Sequence, residues 1–185
     1  MDNITKALLL TGGCVMNLIF SATTPTIQVH FINLIGPKTL AAANIISVGL
    51  AAIVNATVPN NSAKEFYRRH FTKIVILDII CFCIVSFAGY EYPELRSLGF
   101  AVVNAVTTTL WLVVINNAIN RKLSGDKLTE WTSLEKSFYL FSSLAGGIFA
   151  LFADNLSVEL CLLAQCFANI IFGITDLNAF HRLKH

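Results

Sequence analysis

Apolar runs about as long as a bilayer is thick recur along this chain of 185 residues. A helix needs about 20 apolar residues to cross a hydrocarbon core. Inside lipid, each backbone N–H and C=O must find a partner within the protein, which leaves helices and closed barrels as spanning structures. Six runs are long enough: residues 7–30 (extending toward 35), 39–58, 74–90, 95–119, 134–153 and 158–179. The fifth is the weakest at its start, where Glu135 and Lys136 intrude. The connectors "GPKT" and "EYPE" read as tight turns, because Gly and Pro stop helices. Nothing is left over for a soluble domain. The expected fold is all-α: a multi-pass cell-membrane protein, residues 1–185 forming one bundle of six transmembrane helices.

Composition agrees with lipid as the solvent. Only 13% of residues are charged and 55% are hydrophobic, against roughly 25% charged in soluble domains; the mean hydropathy is +0.67. Residues 1–6 make a weakly positive leader and "IFSA" is a poor cleavage site, so the first run is expected to stay as a span.

The basic residues orient the bundle. Lys6, Lys64, Arg68, Arg69, Lys73, Arg121, Lys122, Lys127, Lys136, Arg182 and Lys184 fall on one set of connections. Only Lys38 and Arg96 fall on the other. Cytoplasmic loops collect Lys and Arg, so an even number of spans with both termini cytoplasmic is expected.

The first run nevertheless contains "SATTPTIQVHFINLIG", rich in hydrogen-bonding groups at membrane depth. Helical spacing sorts them. Asn17, Ser21, Thr24 and Gln28 lie at i, i+4, i+7 and i+11, on one face. Asn104, Thr107, Thr108 and Trp111 share a face of the fourth span, Asn44, Ser47, Ala51 and Asn55 one of the second, and Gln165, Asn169 and Asp176 one of the sixth, with Phe172 between them. Such stripes cannot face lipid without cost. They line a wet cavity or bind helices together. Cavity lining is the reading taken for the first and fourth spans, and packing for the second. Pro25 removes a backbone donor and should disrupt the first helix. His30 and Asn33 lie near the outer surface, where water solvates them.

Asp78 reads as the only acid well inside an expected span. It reads either as a structural partner for a base such as Arg121 or as part of an ion or proton relay. Asn116 and Asn120 are one turn apart, as are Asn117 and Arg121; they form a collar that could gate or simply cap the fourth helix. "LSGDKLTEWTS" reads as a short amphipathic segment at the interface, with Trp131 at headgroup level.

Other chemistry finds no support. The five cysteines all lie in apolar runs without a CxxC pair and read as small buried hydrophobes. The four histidines are scattered. There is no HExxH, GxSxG or intramembrane glutamate dyad, so no enzyme, metal site or cofactor is expected. A net charge of +2 without a long basic run argues against nucleic acid as a partner.

The layout resembles the amino-terminal half of a major facilitator superfamily transporter. "IQVHFINLIGPKTLAAANIISVG" is similar to that family's first helix, outer turn and second helix. "NSAKEFYRRHFTKIVILDI" is similar to its basic loop, with Arg68 and Arg69 at the loop arginines. "ELRSLGFAVVNA" is similar to the start of the fourth helix, with Arg96 at its Arg and Gly99 one residue closer than the family's spacing, and "FSSLAGGIFALF" to the glycine-rich fifth. The loop lacks the family's leading Gly and Asp, and the fifth helix lacks its Pro. The resemblance implies alternating access, with the first and fourth helices lining the solute path. Members usually have two six-helix halves, and this chain has one, so a homodimer is the implied working unit. On that reading Asn17, Ser21, Thr24, Gln28, Asn104, Thr108 and Trp111 contact a small polar or amphipathic solute. Asp78, Arg96, Asn116, Asn120 and Arg121 serve coupling or gating. Two alternatives stay open. One is a non-transporting membrane protein, such as an immunity, assembly or regulatory factor. The other is the substrate-binding component of an energy-coupling-factor vitamin importer.

Overall fold

The structure is a computed structural model that describes residues 1–57, 61–92, 94, 98–99, 102–103, 105, 109–152 and 156–184. The described residues are helical throughout their regular parts, with no strand among them. Six elements follow in order: α1 (Asn3–Thr57), α2 (Asn61–Arg69), α3 (Phe71–Glu91), α4 (Thr109–Lys122), α5 (Asp126–Phe152) and α6 (Val158–Lys184).

The long α1 is two helical arms. Gly36 leaves helical geometry, at φ 80 and ψ 158, and separates residues 3–35 from 37–57. The expected turn at "GPKT" is therefore present. Pro25 behaves differently from expectation. Gly36 is the only residue of α1 with non-helical φ/ψ, so the helix passes through Pro25 without a break. Pro25 is itself exposed.

Three described stretches are long and apolar enough to cross a membrane: Asn3–Val54, which holds both arms of α1, Phe71–Ala88 and Val158–Lys184. The fourth expected span lies partly outside the described residues; its end is α4. The fifth, in α5, falls outside these three because Glu135, Lys136 and its serines dilute the apolar run. The separate interfacial segment expected at "LSGDKLTEWTS" is not seen. Gly125, at φ 57, turns the chain after α4, and a single helix then runs from Asp126 to Phe152. Trp131 is 3% exposed: it is buried in protein, not displayed at a headgroup layer.

Helix ends follow capping chemistry. The Asp2 carboxylate accepts from the Thr5 N–H at 2.6 Å, and Ser157 Oγ accepts from the Leu160 N–H at 3.2 Å; each satisfies an orphan donor of a first turn. The Thr5 backbone N–H, and then its hydroxyl, hold the Asp2 carboxyl below the usual carboxylate range. A depressed folded value means the cap stabilises above the unfolded value, near 3.9, and is lost as pH falls through the lower folded one. The protection factor of the Thr5 amide, its intrinsic exchange rate over the observed one, should thus be high at neutral pH and fall below about pH 4. Asp2→Ala should remove both the protection and its pH dependence.

The chain divides into two compact units, Met1–Ile27 with Ile115–His185, and Gln28–Val114. In the second unit α3 buries Phe71, Val75, Asp78, Phe82 and Ser86 along one side. In the first unit α6 is the most enclosed helix. Its buried residues include Cys161, Gln165, Asn169, Phe172, Asp176 and Phe180. All five thiols are free.

Candidate functional site

The site is a polar seam in the first unit, where residues 3–27 of α1 meet α5 and α6. Glycines let the backbones approach, as small residues do in membrane bundles. A methyl group on Gly146 of α5 would stand 2.9 Å from Ser21 Cβ and 3.1 Å from the Ala22 nitrogen, and would run into the Leu18 carbonyl oxygen. One on Gly13 would strike the Tyr139 ring, and one on Gly12 the Thr175 side chain. "TGGC" at the start of α1 is thus its contact face with both partner helices.

Polar groups then pair across the seam. Gln165 Nε2 donates to Thr23 Oγ1 at 3.0 Å and to Thr24 Oγ1 at 3.4 Å. The Thr23 hydroxyl in turn donates to the Ile19 carbonyl at 2.7 Å. Ser143 Oγ donates to Asn17 Oδ1 at 3.3 Å, while Asn17 Nδ2 donates to the Gly13 carbonyl at 2.8 Å. Tyr139 Oη lies 3.1 Å from Glu135 Oε1 and 3.5 Å from the Leu9 carbonyl. Glu135 and Asp176 both act electrostatically on that phenol. Interhelical hydrogen bonds of this kind contribute roughly 0.6 kcal/mol each in membrane bundles, and up to about 1.7. Close packing at the glycines therefore sets the geometry, and the polar pairs fix its register.

An apolar crevice of about 240 Å³ lies beside the seam, walled by Leu18, Ile19, Ala22, Phe149, Leu160 and Cys161 among others. Among the described residues, no three His, Cys, Asp or Glu side chains are grouped to hold a metal ion.

The expected site residues are distributed as follows. Asn17, Ser21 and Thr24 come together on the seam, Ser21 against Gly146. Gln28 is exposed and belongs to the other unit. Trp111 is fully buried, as is Asp78. Asn116, Asn120 and Arg121 are exposed on the last turns of α4, where Arg121 and Lys122 also oppose the negative end of the helix dipole. Asn104, Thr108 and Arg96 lie outside the described residues. The sixth-span stripe is borne out as an inward face: Gln165, Asn169 and Asp176 are 3%, 2% and 1% exposed. What sequence reasoning left out of the site is Thr23, Glu135, Tyr139, Gln165 and Asp176. The signals were present in the i, i+4 pair Glu135 and Tyr139, and in the stripe already seen on α6.

Comparison with known proteins finds no match: no family model, no curated protein and no solved structure matches this chain.

Proposed function

We propose that the chain is a six-span membrane protein with both termini cytoplasmic, built like one half of a major facilitator transporter. It works as a homodimer that moves a small polar or amphipathic solute by alternating access. The observation that carries this reading is a pair of buried acids. Asp78 and Asp176, 0% and 1% exposed, sit within helices long and apolar enough to cross a membrane. At a helix centre a charge costs about 2.5–3.5 kcal/mol on insertion scales and less toward the ends, and such residues usually serve ion or proton movement; Asp78 lies in mid-helix and Asp176 in the last third of α6. In this reading Asn17, Thr24, Gln28, Asn104 and Thr108 contact the solute, and the two acids couple its movement to ions.

A second reading has its own support. The seam from Thr23 to Gln165 is hydrogen-bonded from helix to helix, as a packed non-transporting bundle would be. Native mass spectrometry of gently extracted protein separates the two. Transport predicts a dimer at twice the 20.3 kDa chain mass, carrying a small-molecule adduct. Asn17→Ala with Asn104→Ala should keep the dimer and lose the adduct. A bare monomer overturns the transport reading in favour of the packed bundle.

A further inference from the structure

Exposure along α2 and α3 separates into two faces. Phe71, Val75, Asp78, Phe82 and Ser86 are buried, at steps of three and four residues that keep them on one side. Ile76, Ile80, Ile84 and Phe87, on the other side, are 48–61% exposed. The same steps lead back to Lys73 and Arg69, both exposed.

The face is continuous through the junction. His70 leaves helical geometry, at φ −102 and ψ 11. Yet the His70 N–H still donates to the Phe66 carbonyl at 3.2 Å, and the Ile74 N–H to the His70 carbonyl at 3.0 Å. The His70 ring also stacks on Phe66, with centroids 4.4 Å apart. One outward stripe therefore runs from cationic to aliphatic.

Its dimensions fit a phospholipid. Four residues of helix, from Arg69 to Lys73, rise about 6 Å. A headgroup layer is roughly 5–7 Å deep, half the difference between the whole bilayer and its hydrocarbon core. The aliphatic positions begin one turn deeper, where acyl chains begin. A guanidinium matches the phosphate oxygens as a fork, and the ammonium adds a point charge.

We infer that Arg69 and Lys73 clamp the phosphate of an anionic phospholipid whose acyl chains lie along Ile76, Ile80 and Ile84. This rests on the proposed membrane topology, with the start of α3 at the cytoplasmic headgroups. Each cation near a membrane surface contributes about a fivefold preference for anionic lipid, so the pair contributes about thirtyfold.

The test reconstitutes the full chain into phosphatidylcholine vesicles doped with phosphatidylglycerol and reads retained lipid by native mass spectrometry. Phosphatidylglycerol should be enriched over its share of the vesicle, and less so as salt rises. R69Q with K73Q should cut the enrichment about thirtyfold, R69K with K73R should keep it, and K127Q should leave it unchanged. Equal retention of both lipids, or full enrichment in R69Q with K73Q, overturns the clamp. Resistance to alkaline extraction is scored on the same samples. Extractable protein overturns the topology and the clamp together, whereas inserted protein without a lipid preference overturns the clamp alone.

Discussion

Gly146→Leu should prevent the bundle from assembling, and Gly146→Ala should destabilise it by about 1–3 kcal/mol. The reason is what surrounds the position. The nearest atoms are the Leu18 carbonyl oxygen and the Ala22 nitrogen of α1, with Ser21 Cβ beside them. Backbone atoms cannot rotate aside as a side chain can. Relief requires α1 and α5 to separate, which stretches the Ser143 to Asn17 bond at 3.3 Å. The neighbouring Gly147 supplies the control. It is exposed, with open space where a Cβ would sit. Gly147→Ala should be neutral or stabilising, since alanine exceeds glycine by about 1 kcal/mol in helix propensity. Thermal unfolding of the two variants in detergent, followed by size-exclusion chromatography, gives the comparison. Equal melting of Gly146→Leu and Gly147→Leu would disprove the crossing.

Gly36→Val should give the second-largest effect, by a different route. Nothing lies within 4 Å of a Cβ at Gly36, so no neighbour is struck. The cost is in the backbone itself. The combination φ 80, ψ 158 is essentially restricted to glycine and costs other residues about 1–3 kcal/mol, with a β-branched residue at the upper end. Pro37 adds to this by steering residue 36 away from the helical region, so the variant cannot simply extend the helix. The two arms should lose their defined turn, and the accessibility of a thiol introduced by Lys38→Cys should become heterogeneous. Gly125 gives the contrast. At φ 57 it sits where asparagine is tolerated, so Gly125→Asn should leave folding nearly intact. A Gly36→Val protein with one uniform accessibility would refute the argument.

The parts of the fold that could be read from sequence were those set by local chemistry. Gly36 and Pro37 divide the first two apolar runs because of their own backbone preferences, whereas the caps at Asp2 and Ser157 were not read from the sequence. Spacing alone also gave the buried face of α6, since Gln165, Asn169 and Asp176 recur with the helical period. Tertiary partners were not legible in this way. Asn17 and Thr24 pattern identically whether they face a cavity or a helix, and spacing names neither Ser143 nor Gln165 as a hydrogen-bond partner. Trp131 reads as an interfacial residue from its charged neighbours, but α5 continues through them and buries the ring. Pro25 carries a strong local signal that the surrounding helix overrides.

The bond from Gln165 to Thr23 joins residues 142 positions apart. At a synthesis rate of about 5–20 residues per second, Thr23 emerges about 7–28 s before its partner exists. Throughout that interval Thr23 lacks its donor from α6, and Gly12 lacks the Thr175 side chain it packs against. The polar face of α1 therefore reaches its final state only after α6 has been made.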